Sequence, residues 1–475
     1  MKHHPGTRFW ALLLLMTAAC GVATAGPPLA LIGGGRVDFT PGSWSDGIGR
    51  WIVGHANGGR ILVLTTLPLV DELPRWLRHL GAAEADLLEI PNRYRADAPE
   101  LYRAIATAEG LVLPDGQAWR MIQAWRGTRT ESAIRDHLES GRVLAGFGTG
   151  AMVMGGVIPD RRHGVLTATE ALRLPGTPRL TFTDDFLQAL PGTLVEPAFL
   201  RDGRLPALLL ELAARRQAAP GLTLAGIGID ERTALVIDPD GTATVLGEGA
   251  VAVLATTAST ALRLDPRLPP VITDVQAALL TAGFVLDPAS QQIVAAPPTA
   301  VPAYADVPAG PWTARDIDGS SEEAAAAGEV QVTQHTHESL ALQLGLLHQL
   351  AGRREIPWTV IMPNAFAAPE LAENRVGGLF WALARKPGLV GILLDQGGKA
   401  EITPTGVLFP LPLTGQPATL VVDSRQAILR DFPSWTSWPD SVGPRQSVAL
   451  VGLRLHLLAS RWGFALPSGA VLPDR

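Results

Sequence analysis

Cysteine is almost missing: Cys20 stands alone among 475 residues, so no disulfide framework can form. Basic clusters are missing too. The chain has 39 Lys and Arg against 45 Asp and Glu, a net charge of −6, and so lacks the footprint of a nucleic-acid partner. Beyond residue 25 no apolar run is long enough to cross a bilayer as a helix. What is plentiful is glycine (50), proline (39) and apolar side chains (47%). That is the composition of a soluble globular chain with ample core and many turns, and the length fits about two to four domains.

Residues 1–25 read as an export signal. Lys2, His3, His4 and Arg8 make a basic start. Residues 9–19 form an apolar run too short for a mature membrane helix, and Ala23-Thr24-Ala25 is a small-residue cleavage site. The mature chain then begins at Gly26, secreted or periplasmic. A lipoprotein signal is the alternative, because Thr17-Ala18-Ala19-Cys20 approximates a lipobox, with Thr17 where Leu is usual. A lipid on Cys20 would anchor the chain to the outer membrane, and it is the single route to a membrane that the sequence offers.

The chain is organised around residues 144–154. The run Arg142-Val143-Leu144-Ala145 is strand-like. It feeds Gly146-Phe147-Gly148-Thr149-Gly150, and a small apolar helix follows. This is the pattern of a nucleophile elbow, which lifts a catalytic side chain above a parallel sheet. The pattern wants a nucleophile between flanking glycines, and Gly148 is there instead. Upstream, strands at 29–32, 60–66, 87–90 and 110–113 alternate with helices at 47–53, 69–80, 99–107, 117–125 and 131–139. Such alternation argues a parallel sheet covered on both faces, with sites at the carboxyl ends of its strands. Three loops lie there: 33–35, 114–117 and 146–150.

Four stretches carry a resemblance to a known family. Leu31-Ile32-Gly33-Gly34-Gly35 resembles its first strand and glycine loop. Leu113-Pro114-Asp115-Gly116-Gln117 sits where the family has G-G-D-Q. Residues 146–154 sit where it has G-T-S-A-G-A-M-V-M, and residues 226–235 are close to its G-I-G-I-D-E-x-T-A-L. Together they resemble the cyanophycinase family of serine peptidases, relatives of the aspartyl dipeptidases, over residues 28–258. The resemblance implies an α/β fold: a flavodoxin-like three-layer sandwich with a mostly parallel sheet, akin to class I glutamine amidotransferase domains. It also implies where the chemistry should be. The family's serine falls on Gly148, and its histidine, within D-Q-H-F, falls on Ala198 in Glu196-Pro197-Ala198-Phe199. Gln117 is kept, at a substrate-binding position. The third triad member belongs to the loop around residues 160–169.

A triad hydrolase needs an oxygen or sulfur nucleophile with a base in reach. Gly148 and Ala198 supply neither, so no catalytic residue is expected and the chain reads as a pseudoenzyme. Thr149 is the obvious substitute, but one residue on, its hydroxyl should point away from the tip. His163 is a conceivable base, yet Pro159-Asp160-Arg161-Arg162-His163-Gly164 reads as a solvated loop. Residues left to line a pocket are Gly33, Gly34, Gly35, Gln117, Gly148, Thr149 and Glu196. Each has a plainer reading: the glycines close a turn or offer N–H groups to an anion, Gln117 starts a helix, and Glu196 is a surface carboxylate. The leading function is binding of a peptide or amino-acid-like ligand, or a scaffold role. The rival is a serine-type hydrolase of aspartyl peptides working with non-standard residues.

The second half echoes the first. Residues 259–330 read as linker and connecting elements, Pro- and Ala-rich at 295–311. From about 331 a partial repeat runs: 360–366 echoes 194–199, 375–384 echoes 204–213, and 387–395 echoes 220–230. Pro404-Thr405-Gly406 echoes the turn Pro239-Asp240-Gly241, and 419–422 echoes 251–254. This copy has no elbow, and Ala365 is its histidine position. His335, His337 and Glu338, with His348 nearby, are too loosely placed for a metal site, so no metal and no cofactor are expected. Residues 340–350 and 448–458 read as apolar helices, the latter packing on the second lobe. Trp435, Trp438 and Trp462 read as packing residues. Homodimerisation is open, although the second lobe competes for the pairing surface.

Overall fold

The computed structural model describes residues 26–68, 71–288, 290–303, 315–318, 359–363, 365–366, 376–385, 388–403, 405–412, 415–431 and 447–473. The first lobe opens with β1 (Leu29–Ile32), α1 (Trp44–His55), β2 (Arg60–Thr65), α2 (Glu72–His79), β3 (Glu84–Glu89), α3 (Arg93–Ala96), α4 (Pro99–Thr107), β4 (Gly110–Leu113), α5 (Ala118–Trp125), α6 (Arg129–Glu139), β5 (Val143–Phe147) and α7 (Thr149–Met152). The ribbon β6 (Ile158–Pro159) and β7 (Phe182–Thr183) brackets α8 (Ala168–Arg173). Then follow β8 (Thr193–Pro197), α9 (Leu205–Ala218), β9 (Ala225–Ile229), β10 (Thr233–Ile237), β11 (Ala243–Gly247), β12 (Val251–Ala255), β13 (Ala261–Arg263), β14 (Val271–Leu280), β15 (Val285–Asp287) and β16 (Gln292–Ala295).

The first sheet has the order β16-β15-β11-β10-β1-β5-β4-β2-β3. Its half from β1 to β3 is parallel throughout. Its strands are apolar on both faces because both faces are covered. Along β1, Leu29 and Leu31 join the cluster formed with α4, α5, α6 and α7, while Ala30 and Ile32 join the one formed with α1 and α2. This is the three-layer sandwich expected from the sequence.

The second lobe comprises β17 (Val301–Pro302), β18 (Arg315–Asp318), β19 (Thr359–Pro363), α10 (Val376–Arg385), β20 (Val390–Leu394), β21 (Lys399–Ile402), β22 (Val407–Pro410), β23 (Thr419–Asp423), β24 (Leu429–Asp431), β25 (Ala449–Leu458), β26 (Gly463–Ala465) and β27 (Val471–Leu472). A second sheet runs β19-β20-β23-β25-β14-β12-β9-β8. Read from its two ends inward, it gives the same pairings. The parallel pairs β8/β9 and β19/β20 come first, then antiparallel β12 or β23, then β14 or β25. The two halves meet at β14 against β25. The smaller sheet β18-β21-β22-β26-β27 likewise has the antiparallel order of β1-β10-β11-β15-β16. Packing follows suit. A Cβ on Gly226 would lie 2.7 Å from Leu212, and one on Gly391 would lie 2.7 Å from Leu379, so each strand lets its helix lean on bare backbone.

Two expectations are corrected here. Residues 448–458 form strand β25, not a helix. The stretch is apolar nearly throughout because both faces are buried, and the alternation Leu453, Leu455, Leu457 with Arg454 and His456 is the period-two signal. The described part of residues 259–330 is not a mere linker either, since β14 is a central strand and β15 and β16 extend the first sheet. Helix 340–350, His335, His337, Glu338, His348, Trp435 and Trp438 lie outside the described residues. Trp462 packs on the cluster around Phe464 and Ile392.

The seam between the sheet halves carries a buried histidine. His456 Nδ1 accepts the Asp274 N–H at 3.1 Å, where Asp274 (φ +57°) bulges out of β14. Burial lowers the imidazole to a pKa of about 4, with Arg425 and Arg454 adding to the fall and Asp423 and Asp274 opposing it. His137, buried with Nε2 on the Val143 carbonyl, falls to about 4 for the same first cause. Both groups stay neutral when folded and protonate near 6.5 when unfolded. Their contribution is therefore whole above that value and is lost as the pH falls toward 4, by about 3 kcal/mol each. Denaturant midpoints should drop progressively from about pH 6.5 to about 4.5. His456→Asn, which keeps an acceptor for Asp274, should flatten part of that drop. Midpoints unchanged across the window would refute this account.

Candidate functional site

Phe147 ends β5, and the chain turns at Gly148 with φ +52° and ψ −118° into α7. This backbone conformation is all but closed to residues with a Cβ. The flanking glycines are needed for close approach. A Cβ on Gly146 would lie 2.5 Å from the Ala151 nitrogen, and one on Gly150 would lie 2.0 Å from the Leu113 carbonyl. The Gly148 N–H donates to the Ile32 carbonyl at 2.8 Å, tying the tip to the end of β1. The turn is that of a nucleophile elbow.

The side chain at the tip comes from elsewhere. A Cβ on Gly148 would lie 2.6 Å from Asp115 Cγ and Oδ1. Asp115, in the loop after β4, thus fills the volume that a nucleophile at 148 would need. Its Oδ1 accepts the N–H of Gly116 at 2.8 Å and that of Thr149 at 2.9 Å. The N–H following an elbow residue is the one such hydrolases use to hold an oxyanion. Here a carboxylate of the chain itself holds it. Sequence reasoning passed over Asp115. The signal was available: with Gln117 in register, Asp115 stands at the second glycine of G-G-D-Q, where no side chain is expected.

Thr149 is buried, and its Oγ1 donates to the Gly116 carbonyl at 3.1 Å. The hydroxyl is committed to backbone. Ala198 follows β8 and sits beside the tip's anchor. Its N–H donates to the Gly33 carbonyl at 2.9 Å, next along the chain from the carbonyl that holds Gly148. It brings a methyl group where the resemblance wants an imidazole, on backbone of φ +51°. His163 is exposed in the turn Arg161–Gly164.

Gly33 is a close-approach glycine, for a Cβ there would meet the Asp230 carbonyl at 2.1 Å. Gly34 and Gly35 have φ of +118° and +103°. Among the described residues neither N–H finds an acceptor. Gln117 caps α5 by position, but its side chain makes no capping hydrogen bond and is exposed. Among the described residues its amide has no hydrogen-bond partner.

Glu196 is not a surface carboxylate. It is 1% exposed within β8, and Oε2 meets Arg161 Nη2 at 2.7 Å. Burial, with Glu196 alongside, pushes the neighbouring Glu211 carboxyl well above its ordinary value. Glu196 therefore belongs to a buried ion pair rather than to a ligand-facing wall. Two cavities, of about 570 and 680 Å³, lie away from the elbow. One is bordered by β14, β16 and β25, the other by Arg93–Glu100 with Gly127 and Thr128. Among the described residues no three His, Cys, Asp or Glu side chains converge as a metal set.

A family model described as peptidase family S51 matches residues 67–175, the stretch that holds Asp115 and the elbow. Cyanophycinases of Trichormus variabilis and of a Nostoc species are each 26% identical over 214 residues, covering 43% of this chain and 67% of theirs. A cyanophycinase of Thermosynechococcus vestitus is 25% identical over 178 residues, 37% of this chain and 51% of its own. A solved peptidase from an acI-B1 actinobacterium covers 56% of this chain and 98% of its own, with 20% identity and a TM-score of 0.39. Over residues 67–175 the chain matches peptidase family S51, and over about two fifths of its length it is similar to the cyanophycinases.

Proposed function

We propose that this chain is a catalytically silent S51 protein, exported from the cytoplasm, that holds a peptide or amino-acid-like ligand at the elbow. The observation that carries the reading is the tip itself. Gly148 offers no nucleophile, and Asp115 fills its side-chain volume and takes the Thr149 N–H. Ala198 offers no base. Acyl transfer needs all three of nucleophile, base and oxyanion donor, and losing the triad alone costs about 10⁶-fold in rate. What is kept is suited to binding: the free N–H groups of Gly34 and Gly35 and the exposed Gln117 amide. The rival, a hydrolase working through Thr149, is disfavoured by the bond that holds that hydroxyl on Gly116. The basic, apolar and A-x-A segments of residues 1–25 support export, with lipidation at Cys20 as the alternative route.

Cyanophycin and aspartyl dipeptides incubated with the purified protein should not be turned over; turnover abolished by Thr149→Ala would overturn the silent reading. Gly148→Ser with Ala198→His should remain inert, because Asp115 still occupies the space and the donor. Adding Asp115→Gly should bring measurable hydrolysis. A double variant as active as the triple would show that Asp115 is no obstacle. Ala198→Gly should raise unfolding free energy by about 0.5–1 kcal/mol, since glycine relieves the positive φ; a loss in denaturant titration would count against that strain.

A further inference from the structure

We propose that Asp115 turns the elbow into a cation-recognition site, taking an ammonium or guanidinium group where a hydrolase would hold out its nucleophile. The inference rests on the ligand-binding reading above and assigns that ligand a charge. Asp115 Oδ1 is fixed by two backbone N–H groups, at 2.8 and 2.9 Å. Its Oδ2 takes no hydrogen bond among the described residues, and the residue is exposed. One oxygen is thus anchored and the other is offered. An anchored carboxylate loses little freedom when it binds, so more of the interaction appears as affinity. No Arg, Lys or His among the described residues lies within ion-pair distance of it, so its charge is uncompensated within the described chain. The same charge opposes an incoming anion. The N–H that would have drawn an oxyanion or carboxylate to the tip is already used, by Oδ1.

The geometry also provides a clean variant. Asp115→Asn keeps an Oδ1 acceptor for Gly116 and Thr149, so the turn can stand while the charge goes. Isothermal titration of the full chain would use argininamide and lysinamide, cations without a carboxylate, and N-acetyl-aspartate, an anion. The wild type should bind the amides in preference to N-acetyl-aspartate. Asp115→Asn, with an unchanged melting temperature, should bind the amides at least tenfold more weakly. Unchanged amide affinity in a folded Asp115→Asn protein, or a wild type that prefers the anion, would overturn the assignment to Asp115 while leaving ligand binding intact. A wild type that binds none of the probes at millimolar concentration would remove the assignment and count against the ligand-binding reading beneath it. Should Asp115→Asn melt early, the salt dependence of argininamide binding to the wild type serves as the second arm: affinity should fall as sodium chloride is raised, and an affinity indifferent to salt would overturn the assignment.

Discussion

A turn that glycine alone accepts comfortably holds the first lobe's site together. Gly148 at φ +52° and ψ −118° reverses the chain between β5 and α7, and its N–H is fixed on the Ile32 carbonyl. Gly146 and Gly150 let α7 lie directly on β5 and β4. Every one of these demands falls on the backbone. A serine at 148 has to be forced into a strained conformation by its surroundings, whereas glycine enters it at little cost. Glycine at 148 therefore supports the turn without a side chain.

Emptying that position creates two problems: a gap and a backbone donor with nothing to bond. Close packing penalises the first and desolvation the second. Asp115 answers both at once, with its carboxylate in the vacated volume and its Oδ1 on the Thr149 N–H. Asp115 thus stands in the one side-chain volume that the two neighbouring loops share at the tip, and what the tip presents is a carboxylate.

Much of this was legible in the sequence. Strands buried on both faces read as continuous apolar runs, which placed β1, β2, β4 and β5, and the spacing of Gly146, Gly148 and Gly150 specified the elbow. The same continuity misled at β25. Ten residues buried on both sides look like a helix unless the alternation of Leu453, Leu455 and Leu457 with Arg454 and His456 is given more weight than the apolar content. Glu196 was misplaced because its partners, Arg161 and Glu211, are distant in sequence and meet it only through the fold. Asp115 was overlooked because a motif is read for residues it has lost, and this one had been gained at a position defined by having no side chain.

The second lobe, which has no equivalent of the elbow among its described residues, still bears on the site. β14 would be an open edge without β25, and open edges invite pairing with other chains; here the partner strand is supplied within the same chain. The lobe also clamps α8. Arg173 donates to the carbonyls of Gly415 and Gln396 at 2.5 Å each, Thr169 to that of Phe366 at 3.3 Å, and the Ala418 N–H reaches the Leu172 carbonyl at 2.8 Å. α8 lies on the chain between Gly148 and Ala198. Fixing it limits how far the segment joining the two degenerate positions can move, although neither touches the second lobe through any of these bonds. The second lobe thus holds α8 from outside the first sheet, and a segment held in place costs less to order when a ligand binds near it.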